Sequence, residues 1–289
     1  MSMLTLHSLS AFLDFYLSFL TSPVFTIPSS AGYPLGLSLW AEVPTSIQVY
    51  FGFSFVSAVS VSIVLLFEGR YFVLRNGANE KRSRLRKLNI ILLYALSFTF
   101  FLPSFLNIPD QNSGKLDLLK TIPCFPPDLL KRPGFFVLAV DATICVFCVS
   151  FMASILMIQG LFFAISIAWQ LSHSSAKSKT VNKMQKQLMM ALGIQVTIPI
   201  SMFFVPTSVL VILVWRNQYN AAATNISVVM VAMHGVVSTI TMLIVHRPYR
   251  DATLDILHRF VFRKQRQLSN GSKIWVTVAG QHVLKSVAS

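Results

Sequence analysis

Residues 43–67 read VPTSIQVYFGFSFVSAVSVSIVLLF, and the next four are Glu68-Gly69-Arg70-Tyr71. The 25 residues from Val43 to Phe67 carry no charge at all. A helix needs about 20 predominantly apolar residues to cross the hydrocarbon core of a bilayer, so this run is long enough to span one. An acid, an arginine and a tyrosine stand at its mouth, where a basic segment begins.

The whole chain has the same character. It is 54% hydrophobic and 12% charged over 289 residues, with a mean hydropathy of +0.64, values outside the range of a soluble globular domain. That length is ample for six or seven helical spans with their loops. The net charge of +14 would suit a nucleic-acid binder, but the charges lie in loops between apolar runs rather than on one face of a folded domain. The expected partner is membrane lipid, with no nucleic acid.

Charge-free runs cover residues 15–41, 43–67, 88–109, 142–176, 187–215 and 217–246. Pro23, Pro28 and Pro34 cut the first, so its helix is placed at 3–22 and includes Asp14. The fourth is expected to begin near Phe135, because Pro133 suits a helix start. The fold predicted is therefore all-α: a multi-span transmembrane helical bundle in a domain covering 1–260. Its six spans lie at about 3–22, 44–68, 88–106, 135–170, 187–215 and 222–246. Of the 24 lysines and arginines, 19 fall in the loop 69–87, the loop 171–186 and the tail from Arg247. The positive-inside rule assigns that side to the cytosol, and six spans then put both termini there.

Beyond the spans, Leu254, Leu257 and Val261 recur at helical spacing beside Phe260, flanked by Arg259, Arg263, Lys264 and Arg266. An apolar stripe bounded by basic groups suits a helix over 247–266 lying on the anionic inner leaflet. Residues 267–289 are expected to form a disordered cytosolic tail. Cys145 and Cys148 lie in an apolar run and read as small buried thiols; Cys124 lies in a loop. No metal-ligand pattern, phosphate-cradling glycine loop or nucleophile motif occurs, so neither an enzyme nor a cofactor or metal site is expected.

Several strings are similar to nematode serpentine receptors of class H. They are Ala31-Gly32-Tyr33-Pro34-Leu35-Gly36, Val43-Pro44-Thr45-Ser46-Ile47-Gln48-Val49-Tyr50, Phe101-Leu102-Pro103-Ser104-Phe105-Leu106-Asn107-Ile108-Pro109-Asp110-Gln111 and Ile122-Pro123-Cys124. Ile194-Gln195-Val196-Thr197-Ile198-Pro199 and His246-Arg247-Pro248-Tyr249-Arg250 continue the resemblance. It runs in colinear order over roughly residues 10–260. The resemblance implies a GPCR-like bundle of seven helices that binds a small-molecule ligand and signals to a heterotrimeric G protein. It also implies the plasma membrane, in the cilium of a chemosensory neuron. On that template residues 1–22 correspond to the second helix, so the first is expected to be lacking, and Leu268–Ser289 has no counterpart. A truncated, non-signalling receptor remnant stays open as an alternative, as does a transporter or channel subunit. Against the latter, the spans hold no arginine ladder, no carbonyl-filter string and no internal repeat.

The resemblance also distributes roles. Glu68, Arg70 and Tyr71 look like a variant of the acid–arginine–aromatic motif at the inner end of a receptor's third helix, and with Pro248, Tyr249 and Arg250 they are the candidates for G-protein coupling. Residues two apart point to different sides of a helix, so Glu68 is expected to find its partner on another helix or in the G protein. Polar residues near the outer half, Gln48, Tyr50, Asp141, Thr143, Thr207 and Asn225, are candidates for the pocket lining, with interhelical hydrogen bonding as the competing role. Asp14 resembles the acid that serpentine receptors often carry in their second helix; it either faces the bundle interior or is left near water by a helix that starts later. Pro199 and Pro206 are candidate kinks in the fifth run. His234 sits alone in its span and reads as a packing or hydrogen-bonding residue.

Overall fold

A computed structural model describes residues 3–75, 80–122, 125–173, 193, 197, 200–245, 250, 251, 253–256 and 258. The 25-residue run becomes helix α3, Thr45–Leu74, once α1 (Met3–Phe15), a π-helical turn (Tyr16–Thr21) and the short α2 (Leu37–Trp40) have preceded it. Pro44 stands just before α3, where a missing N–H costs nothing and the fixed φ favours helix entry. Since α3 is apolar on every side, it belongs in the middle of the bundle. In α3, 56% of the most apolar window is buried, against 28% and 22% for the spans Arg84–Leu106 and Thr143–Gln170. The other helices pack around it.

Arg84–Leu106 combines α4 (Glu80–Thr99) with α5 (Leu102–Leu106), broken at Phe100-Phe101 where Pro103 enters the first turn of α5. After α6 (Gln111–Thr121) and α7 (Pro127–Leu130) comes α8, Thr143–His173. The remaining helices are α9 (Ile200–Trp215), α10 (Ala221–Ala232) and α11 (His234–Val245). Val61, Val64 and Leu65 of α3 share one core with Leu93 of α4, the Phe100-Phe101 break and Cys145, Cys148, Met152 and Leu156 of α8. On the other flank Leu6 and Leu13 of α1 meet Val59, Ile63 and Leu66. Both cysteines are buried free thiols, as expected; Cys124 lies outside the described residues. Outward, α8 exposes Phe147, Phe151, Ile158, Phe162, Ile165 and Trp169. Three- and four-residue spacing gathers them into a face that needs an apolar solvent.

A three-stranded sheet changes one of the expected spans. Pro23–Thr26 (β1), Ser30–Pro34 (β2) and Phe136–Ala139 (β3) form an antiparallel sheet in that order. Phe25 pairs with Gly32, and Gly32 with Phe136. Gly32 is required there, because a Cβ would run into the Val24 carbonyl. The fourth span thus starts at Thr143, not at Phe135. Two local bonds explain the shift. The Gln111 side chain takes both backbone groups of Val137, accepting its N–H at 2.9 Å and donating to its carbonyl at 3.1 Å, which holds the segment extended. Asp141 Oδ1 then accepts from the Thr143 N–H at 2.9 Å and its hydroxyl at 2.6 Å, capping the new helix.

That cap has a pH signature. The two Thr143 bonds hold the Asp141 carboxyl below the usual carboxylate range. A lowered folded-state value means the cap stabilises fully above the unfolded value of about 3.9 and fades as pH falls through the folded one. Asp141→Ala is expected to cost about 1 kcal/mol at neutral pH in thermal unfolding. The deficit should shrink in acid.

Residues 1–239 make one compact unit and 240–289 another. In the second unit the described positions between 250 and 258 are helical. Arg250 pairs there with its neighbour Asp251 at 3.5 Å. Leu254 and Ile256 are exposed; Leu257, Phe260 and Val261 of the expected stripe, and the tail 267–289, lie outside the described residues.

Candidate functional site

Between α3, α8 and α9 lies a cavity of about 290 Å³. A second chamber of about 150 Å³ shares Phe53, Val56, Phe203 and Thr207 with it and reaches up to Tyr16, Gln48 and the β1–β2 hairpin. A third, of about 100 Å³, lies against Phe25, Gly32, Phe136 and Leu138 of the sheet and shares Phe53 with both others. The sheet therefore roofs the Thr45 end of the bundle. Phe53 stacks on Phe101 with ring centroids 4.2 Å apart, fixing the wall where the chambers meet.

The pocket candidates separate on this geometry. Gln48 and Thr207 both line the second chamber, and Thr207 lines the largest as well. Gln48 is already engaged: its Nε2 donates to the Val43 carbonyl at 2.8 Å and its Oε1 accepts from Ser38 at 2.6 Å. Tyr50 turns away, donating its hydroxyl to the Phe98 carbonyl and meeting Phe105 edge-on at 5.3 Å. Asp141 and Thr143 are spent on the α8 cap, and Asn225 is exposed while its neighbours Thr224 and Ser227 face inward. None of these four lines any of the three chambers.

At the far end of α3, Glu68 is 3% exposed, and its partner does lie on another helix. Arg86 of α4 brings Nε to 3.7 Å from Glu68 Oε2, and Asn89 donates to Oε1 at 3.3 Å. The Arg86 guanidinium also lies over the Phe72 ring, 5.3 Å from its centre, which adds a cation–π attraction. Arg70 is half-buried and makes no ion pair with a described residue. Tyr71 is buried, takes a hydrogen bond from Arg75 and packs on Phe162, Phe163 and Ile167 of α8. Arg250 is exposed beside Asp251; Pro248 and Tyr249 lie outside the described residues.

Asp14 faces the interior, and His234 is not alone. The two meet with Asp14 Oδ1 3.2 Å from His234 Nδ1, the histidine being 1% exposed. That same Nδ1 lies 2.8 Å from the Val231 carbonyl. Both neighbours are acceptors, so Nδ1 must carry the proton; Nε2 is buried without a hydrogen-bond partner among the described residues. The Gly235 N–H donates to the Asp14 carboxylate, and a Cβ on Gly235 would occupy the carboxylate's own position. With His234 holding the Val231 carbonyl and Gly235 turned to Asp14, the helical ladder is interrupted. α10 and α11 accordingly meet at 44° across Met233, an inserted side chain being a known cause of kinks. Pro206 is buried inside α9, which stays helical on both sides of it; Pro199 lies outside the described residues.

Sequence reasoning missed the Asp14–His234 pair, the Glu68–Arg86 pair and the cavity hydroxyl of Ser57. The first two join residues on different helices, and no local pattern announces such a meeting. Ser57 was hidden among the many serines of α3.

The family described as serpentine type 7TM GPCR chemoreceptor Srh matches residues 1–259. Serpentine receptor class H-72 of Caenorhabditis elegans is 30% identical over 242 residues, which cover 80% of this chain and 67% of the relative.

Proposed function

The chain belongs to the Srh family of serpentine seven-transmembrane chemoreceptors, and on that premise we propose that it binds a small-molecule cue inside its helix bundle and signals to a heterotrimeric G protein. The family is a class of receptors rather than of enzymes, and its members are multi-pass membrane proteins. What carries the proposal is helix α3. Seven residues between Phe53 and Phe67 of this one helix wall the 290 Å³ cavity, and at the next residue the helix buries Glu68 against Arg86.

A ligand shifts a two-state bundle only by binding one state better than the other. Here the same rigid element touches both ends. A ligand that moves α3 against α8 or α9 changes the fit of Glu68, Arg86 and Asn89 without any further relay. The positive-inside rule puts that charged end in the cytosol, where Arg70 and the basic loops are available to a G protein. The plasma membrane of a chemosensory neuron, in its cilium, is the site this reading expects.

Nucleotide exchange on a purified G protein, with the full chain in nanodiscs and fractionated small-molecule extracts as stimulus, tests it. The expected result is ligand-dependent exchange of at least severalfold over the empty-disc control. Uptake of the same molecules into vesicles without any exchange would replace the receptor by a transporter.

A further inference from the structure

We propose that the 290 Å³ cavity takes an uncharged, largely apolar molecule bearing one hydrogen-bonding oxygen, held by Ser57 of α3 and Thr207 of α9; this rests on the receptor reading and adds the chemical class of its ligand. No charged side chain is among the described residues that line the cavity, and the only side-chain hydroxyls among them are Ser57, Ser60 and Thr207. Moving an ammonium or carboxylate into such a lining forfeits its hydration with no opposite charge in return. The paired groups Asp14, His234 and Glu68 are not among the lining residues.

The three hydroxyls differ in a way that points to a ligand. Ser60 is closed on its own helix, donating to the Val56 carbonyl at 2.9 Å, as Ser62 does to Ala58 and Ser154 to Ser150. That back-bond is the ordinary resting place of a serine inside a helix. Ser57 does not use it. Its hydroxyl is buried, the residue being 6% exposed, and has no hydrogen-bond partner among the described residues. A hydroxyl removed from water and left unpaired is costly, so an oxygen supplied by a ligand relieves a deficit already built into α3. Thr207 is half-buried on the cavity wall and makes no hydrogen bond to a described residue.

Size follows from volume. An apolar cavity of about 150 Å³ accommodates a benzene; one about twice as large takes roughly a dozen non-hydrogen atoms. Ketones, alcohols and esters of that size satisfy both conditions. A charged amine or acid of equal size satisfies only the volume. Gly160 offers a way to close the space: a Cβ there would meet nothing nearer than Val64 Cγ2, at 3.9 Å, so a longer side chain enters the cavity without a backbone clash.

The test uses the full chain in nanodiscs and four probes of matched size: benzylacetone, butylbenzene, phenylbutyrate and phenylbutylamine. Binding is read by calorimetry and by the rise in melting temperature, each against empty discs. Benzylacetone is expected to bind roughly 5- to 10-fold more tightly than butylbenzene, the increment of one neutral hydrogen bond, and the two ions not at all. Ser57→Ala should erase the preference for the ketone while keeping butylbenzene binding, and Thr207→Val should reduce it. Gly160→Leu should abolish binding of both neutral probes, with Gly160→Ala retaining it as the folding control. The proposal is overturned if an ionic probe matches the ketone, if the preference survives Ser57→Ala, if Gly160→Leu binds normally, or if no neutral ketone, alcohol or ester of that size binds. Any of these alongside extract-driven nucleotide exchange removes the ligand class and leaves the receptor. Ketone binding as expected with no exchange from any stimulus keeps the site and removes the receptor.

Discussion

Arg86→Ala is expected to destabilise the folded chain by roughly 2–3 kcal/mol and to raise ligand-independent nucleotide exchange. The reason lies in what remains. Glu68 is 3% exposed and would keep only the Asn89 bond at 3.3 Å, leaving a carboxylate in a packed helix interface with no opposite charge. Removing one member of a fully buried pair costs about 3–5 kcal/mol. Arg86 is 28% exposed and 3.7 Å away, so water tempers the loss and the lower figure applies. Glu68→Gln should cost less, because an amide has no charge to strand and can keep the Asn89 contact. Replacing both residues by leucine should recover much of the stability. Thermal unfolding of the wild type, Arg86→Ala, Glu68→Gln and the Arg86→Ala/Glu68→Gln double variant in one detergent forms a double-mutant cycle. A coupling energy near zero would mean that the pair does not hold α3 to α4.

The second large effect is expected at the other buried pair. His234→Ala should lower stability by roughly 3 kcal/mol, through both a cavity and a stranded acid. The imidazole fills space against Phe203, with ring centres 4.6 Å apart, and its Nδ1 faces both Asp14 and the Val231 carbonyl. Asp14→Asn should be milder, since an amide oxygen still accepts from the Gly235 N–H. Gly235→Ala should cost about 1–3 kcal/mol, the usual penalty of overpacking, by pushing the Asp14 side chain out of place. If Asp14→Asn proved as damaging as His234→Ala, the charge rather than the packed ring would be what the bundle depends on.

Which parts of this were legible in advance follows from the range of the forces involved. The apolar run 43–67 becomes the central helix because burial free energy adds up residue by residue along a segment, and no partner has to be known. The buried thiols Cys145 and Cys148 were legible for the same reason. So was the need for Glu68 to look beyond its own helix, since helix geometry separates it from Arg70. The start of α8 was not. Pro133 signals a helix, but Gln111, more than twenty residues earlier, takes the Val137 backbone and holds the strand.

That this is a helical membrane protein of the class H chemoreceptor family could be read along the chain, since charge-free length and colinear motifs are properties of residues taken in order. Packing in three dimensions was needed to bring Arg86 to Glu68 and His234 to Asp14, and to leave the Ser57 hydroxyl at the cavity without a described partner. Hydropathy is additive and local, whereas a hydrogen bond or ion pair depends on a few tenths of an ångström between atoms that packing brings together.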